Sequence, residues 1–186
     1  MVYVALLRGV NVGGKGLVSM TDLKAELNGL GFREVRTYIQ SGNILFETND
    51  DVATVRHKLE DLLKAKFKID TLVIVKTREQ LKQVAQNAPE AWHSRDDLRR
   101  YVAFISEPLD PGDVLPEVEL KEGIDSVKEG PGVLYFSILL SGRTRSRLNR
   151  LMSKPVYRSI SFRDFTTVQK LAEMIEQTGV RQALGD

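Results

Sequence analysis

The hydrophobic pattern of the chain changes period in a fixed order, and that order restricts the fold more than any single motif does. Apolar residues that alternate or run together over a few positions mark strands, and spacings of three and four mark helices. Val2 to Leu7 is apolar on both faces, as a central strand is. Ser19 then offers an N-cap with Asp22 three residues on, and Met20, Leu23, Leu27 and Leu30 form a helical stripe that Gly31 ends. Val35 to Gln40 and Asn43 to Thr48 read as strands joined by a Ser41-Gly42 turn. Asn49, Asp50 or Asp51 caps a second helix striped by Val52, Val55, Leu59, Leu62 and Leu63, and Thr71 to Val75 closes the set as a strand.

That order, βαββαβ, is the ferredoxin-like α+β arrangement. Thr77 opens one more helix, through Leu81, Val84 and Ala85, which stops before Pro89. Residues 89–100 mix proline, Trp92 and dense charge, and read as a linker between a first domain over 1–88 and a second over 101–186. Past it the order recurs more faintly. Tyr101 to Ser106 is a strand, Asp110-Pro111 starts a short helix, and Ile124 to Val127 and Val133 to Leu140 form a hairpin around Gly130-Pro131-Gly132. Arg145 to Met152 reads as a helix, Val156 to Phe162 as a strand, and Val168, Leu171, Ala172 and Ile175 as a final helix. The expectation is two ferredoxin-like units in tandem, each with a trailing helix, the second degenerate. A length of 186 residues suffices for two small cores.

In such a unit the exit of the first strand, the hairpin turn and the entry to the fourth strand share one sheet edge. In the first unit this gathers the glycine-rich loop Arg8 to Gly16 and the turn Gln40-Ser41-Gly42-Asn43. Arg8, Asn11, Gly13, Gly14, Lys15, Tyr38, Gln40, Ser41 and Asn43 are therefore the candidate ligand-binding residues. Gly9, Gly14 and Lys15 imitate the core of a phosphate-binding P-loop, but Gly16 stands where a Ser or Thr is needed and the cap signal comes only at Ser19. The antiparallel sheet argues the same way. An RNA-recognition module would need aromatic rings where Asn43 and Leu45 stand, so Tyr3 is read as an ordinary strand residue.

A net charge of +2 predicts no strong whole-molecule attraction to nucleic acid or anionic lipid. A local exception lies between Ser141 and Arg163, where Arg143, Arg147, Arg150 and Arg163 occur with no acid before Asp164. On a helix Arg143, Arg147 and Arg150 would form one stripe, able to meet phosphates or to pair with the acidic span 107–129. The absence of cysteine excludes disulfides and thiol chemistry, and His57 and His93 belong to no metal or triad pattern. No cofactor or metal is called for. The opening apolar run is too short for a secretory h-region and no later one suits a membrane span, so the expected location is cytoplasmic.

The segments YVALLRGVNVGG, VSMTDLKAELNGLGF and VRTYIQSGNILFET together resemble the signature of a bacterial family of uncharacterised proteins, domain-of-unknown-function family 1697. The resemblance is close over residues 3–48 and looser beyond, ending in SISFRDFTTVQKL, where Asp164, Phe165 and Thr166 depart from the family pattern and Arg163 and Thr167 keep it. It implies a ferredoxin-like α+β structure and no established activity, and it points to Arg8, Asn11, Gly13, Gly14, Tyr38, Gln40, Ser41, Gly42 and Asn43. The expected function is a non-catalytic or regulatory protein that binds a phosphate-bearing ligand or nucleic acid at the glycine-loop and hairpin edge. Alternatives are a small-molecule transferase or hydrolase using Ser41 or Tyr38 with Arg8, and a self-association module forming a homo-oligomer. Whether the chain is an enzyme stays open.

Overall fold

In the computed structural model, which describes residues 1–14 and 17–178, β1 (Val2–Leu7) lies inside a four-stranded antiparallel sheet. The sheet order is β2 (Arg33–Tyr38), β3 (Asn43–Glu47), β1, β4 (Val73–Thr77). Tyr3, Ala5 and Leu7 face the helices α1 (Met20–Gly29) and α2 (Val52–Phe67), in a core with Leu23, Leu27, Phe46, Leu59 and Leu63. Val4, Leu6 and Leu45 are buried too, so β1 is covered on both faces as its composition requires. Tyr3 belongs to this core, with its hydroxyl donating to the Asp50 carbonyl, and is no stacking platform.

The caps follow from side-chain chemistry. Ser19 Oγ accepts from the Asp22 amide at 3.2 Å, and Asp51 Oδ1 accepts from the Thr54 amide at 2.8 Å. Thr77 and Gln80 bond each other's amides reciprocally, a capping box that starts α3 (Arg78–Gln86).

The second sheet has the order β6 (Asp125–Gly130), β7 (Val133–Leu139), β5 (Leu98–Ile105), β8 (Ile160–Asp164), again antiparallel throughout. The two sheets therefore share one topology. Main-chain bonds at matching places repeat as well. Leu7 N donates to Gly42 O at 2.8 Å and Arg8 N to Leu72 O at 3.0 Å; Ile105 N donates to Gly132 O at 3.1 Å and Ser106 N to Ser159 O at 2.9 Å. Two tandem α+β units are present, although their sequences share almost no identities.

The units divide as Met1–Lys82 with the chain from Gln169 onward, and Gln83–Val168. Two expectations change here. Residues 89–100 are no linker: Trp92 is buried, its indole N–H donates to Ser137 Oγ at 2.6 Å, and β5 begins at Leu98. A tryptophan amid charge reads as linker in a one-dimensional pattern, but here it packs edge-on against Tyr135 and Phe165. The final helix, α5 (Phe165–Glu176), does not serve the second unit alone, because Arg78 donates to the Thr178 carbonyl and Lys82 pairs with Glu176 at 3.3 Å.

Residues 145–152, expected as a helix, do not form one. Residues 140–159 form successive 3-10 turns, Leu140–Arg145, Leu148–Ser153 and Pro155–Ser159, and β8 starts only at Ile160. Three arginines on one helical stripe would repel. The small polar residues between them bond the local backbone instead: Ser146 Oγ accepts from the Leu148 amide, and Ser153 Oγ donates to the Arg150 carbonyl. Asp125 Oδ2 takes the Arg147 amide at 2.8 Å, which leaves it no helical partner. The second unit is thinly covered as a result. Where the first sheet has the sixteen-residue α2, the second has turns, and where the first has the ten-residue α1 it has the four-residue α4 (Pro111–Val114).

Candidate functional site

The sheet edge derived from topology exists in the first unit. Arg8 leaves β1 with its amide on Leu72 and its carbonyl accepting from the Thr71 hydroxyl at 2.5 Å, so the entry to β4 lies beside the exit of β1. Asn11 ties the glycine loop to the hairpin turn. Its Nδ2 donates to Gln40 O at 2.8 Å and Val18 O at 2.9 Å, and its Oδ1 accepts from Val18 N at 2.8 Å. Asn43 is fully buried and its Nδ2 donates to Tyr38 O and Ser41 Oγ, both at 3.1 Å.

The two asparagines singled out as ligand donors thus hold their own loops in shape. Gly42 permits the close approach of the turn to β1, since a Cβ there would sit 2.7 Å from Leu7 Cβ. Arg8, Tyr38 and Ser41 are half-buried, whereas Gly13, Gly14 and Gln40 are exposed. Lys15 lies outside the described residues.

The arginine cluster is not a stripe. Arg150 pairs with Glu119, and Lys154 stands 3.6 Å from Glu117, so part of the basic segment does meet the acidic span. The bond from Arg150 holds the Glu119 carboxyl below the usual glutamate range. Arg163 is buried, donates to Ser161 Oγ at 2.9 Å and Phe162 O at 2.8 Å, and burial draws its guanidinium down to about 10. It belongs to the interior rather than to a surface patch. Asp164, a departure from the family signature, accepts from the Thr166 amide at 3.0 Å in the first turn of α5.

Arg143 is placed differently. It stands on the rim of a cavity of about 490 Å³ in the second unit, where the turns of 140–159 fail to cover the sheet. Tyr101, Ile138 and Phe162 form the floor, Leu148, Met152 and Tyr157 a wall, and Thr144, Ser146 and Asn149 add polar groups to the lining. Arg99 faces Ile138 across the sheet, which puts both on one face, and its guanidinium lies 5.5 Å from the Tyr101 ring centroid. Among the described residues neither Arg99 nor Arg143 has a carboxylate partner.

The loop carrying Arg143 is pinned from below. Asp125, opposite Ile138 and buried, receives the amides of Lys121 and Arg147 on Oδ2, and Gly142 lies so close to Ile124 that a Cβ would meet it at 2.7 Å. Sequence reasoning found Arg143 but missed Arg99, Tyr101, Tyr157 and Phe162. The legible signal was the period-two spacing of Arg99 with Tyr101 and of Ile160 with Phe162, which puts each pair on one strand face.

A family model, protein of unknown function DUF1697, matches residues 1–135. The chain belongs to that family. No curated protein matches it. Among solved structures, this DUF1697 protein is similar to the conserved bacterial protein SP0830 from Streptococcus pneumoniae, with 31% identity and a TM-score of 0.81 over 94% of this chain and 98% of that one. The family match covers the first sheet and ends in β7, so the cavity residues from Ile138 onward lie past it. Among the described residues no helix is long and apolar enough to cross a membrane.

Proposed function

We propose that this protein binds a phosphate-bearing ligand without transforming it, and that the aromatic cavity of the second unit holds it. The observation that carries the reading is Arg143, a guanidinium on the rim of an aromatic-floored cavity without a carboxylate partner among the described residues. Arg143 is exposed, and a guanidinium presents donors in a planar fork that matches phosphate oxygens. Thr144, Ser146 and Asn149 supply hydroxyl and amide donors in the same lining. A volume of about 490 Å³ lies within the range of small-molecule sites. The edge of the first unit supports the reading less, because Asn11 and Asn43 already bond the two loops that form it.

The test is an NMR titration of the full chain with inorganic phosphate and ribose 5-phosphate at low and high salt. Saturable shifts are expected at Arg143, Thr144 and Ser146, with affinity falling as salt rises. Arg143→Ala is expected to weaken binding about tenfold or more, the usual consequence of losing a charge-assisted bond. No saturable shift at low salt, or equal binding by the variant, refutes the proposal.

A further inference from the structure

We infer that the ligand of this cavity carries a planar aromatic ring as well as a phosphate, the chemistry of a nucleoside phosphate. The inference rests on the phosphate reading above and adds a feature of the floor that phosphate alone leaves unexplained.

Among the described residues, two pairs of cavity rings meet edge-on or tilted. Tyr101 and Phe162 meet at 84° with centroids 6.5 Å apart, and Tyr157 and Phe162 at 34° with centroids 6.2 Å apart. An edge-on pair leaves a face of one ring available, and a further ring can lie flat on it while meeting the edge of the other. Arg99 already sits over one face of Tyr101, a place that a cation takes on an electron-rich ring.

The wall adds a second observation. Met152 lines the cavity yet is 62% exposed, a large apolar side chain turned toward water at the mouth of a site. A flexible thioether is well suited to close over an aromatic ring, with its sulfur at the ring edge. A ring seated on the floor would be held between Tyr101 and Met152, and Arg143 on the rim would meet the phosphate. Sugar phosphates lacking the ring would use only half of these groups.

The ring and phosphate can come from a free nucleotide or from one base of a single strand, and the experiment separates them. The full chain is titrated calorimetrically at low salt with adenosine monophosphate, adenosine, ribose 5-phosphate and a short single-stranded oligodeoxyadenylate. Adenosine monophosphate is expected to bind about tenfold tighter than ribose 5-phosphate, the size of effect that base stacking produces. Met152→Ala, at an exposed site where the fold is safe, should reduce that preference severalfold. Tyr101→Leu, checked for native circular dichroism, should abolish it.

Tighter binding of the oligonucleotide than of the monophosphate also supports the ring, and assigns it to a strand. Equal affinities for adenosine monophosphate and ribose 5-phosphate overturn the ring and leave the phosphate reading standing. Binding of adenosine alone, with no phosphate contribution, retains the ring and removes the phosphate reading. Failure of all four probes removes both.

Discussion

Replacing Gly42 by alanine tests whether the hairpin turn is built rigidly against the first strand. Gly42 has φ +73°, and a Cβ would lie 2.7 Å from Leu7 Cβ and 3.2 Å from Leu7 Cγ. Leu7 cannot retreat, being fully buried in the core and bonded through its amide to the Gly42 carbonyl at 2.8 Å. The left-handed backbone costs an alanine about 1–2 kcal/mol. Overpacking a well-filled site adds about 1–3 kcal/mol. The reduced freedom of the unfolded chain offsets about 0.4–1 kcal/mol. The net expectation is a loss of about 1–5 kcal/mol, centred near 3.

Gly31 is the control, because its φ is +84° and nothing lies within 4 Å of its built Cβ. Gly31→Ala carries the backbone cost alone, about 1 kcal/mol after the same offset. The assay is urea unfolding followed by circular dichroism, with hydrogen exchange at the Leu7 amide as a local readout. Tryptophan fluorescence would mislead, since the sole tryptophan, Trp92, lies in the other unit. If Gly42→Ala costs no more than Gly31→Ala, the close approach is not rigid and the account of this edge fails.

Two further outcomes follow from the second unit. Asp125→Ala strips the Lys121 and Arg147 amides of their acceptor, so tryptophan-detected urea unfolding should show a loss of about 2–4 kcal/mol, and phosphate affinity should fall as the Arg143 loop loosens; an unchanged midpoint would refute the pinning. Burial pushes the Tyr135 phenol up to about 12 from its ordinary 10.0, and its hydroxyl donates to the Val84 carbonyl at 2.8 Å. The fold favours the neutral phenol, so this contribution is intact below pH 10 and is lost as pH rises from about 10 toward about 12. An unfolding midpoint flat across that window, or a Tyr135→Phe variant with the same alkaline slope, would contradict it.

Legibility differed between the two candidate sites for a physical reason. The edge around Arg8, Asn11 and Gln40 follows from strand order, because any βαββαβ sheet places those loops together, and the bond from Asn11 to Gln40 realises it. What each side chain does there was not legible. Asn11 and Asn43 look like donors for a ligand until their partners are seen to be groups of these same two loops. The cavity was hidden for the opposite reason. It exists because a segment with helical spacing does not form a helix, and the residues that prevent it include Asp125, distant in sequence.

Local pattern alone determined the strands of the first unit, most caps and the tandem α+β order, since periodicity, capping and turn chemistry act over a few residues. Ser19, Asp51 and Thr77 cap their helices as their positions imply. Tertiary structure alone decided which charges became buried, paired or available. Arg143, Arg150 and Arg163 are equivalent as letters, yet one rims a cavity, one meets Glu119 and one is enclosed in β8. Partners brought together by folding set those fates, and the energy of a charge depends on its surroundings far more than on its neighbours along the chain.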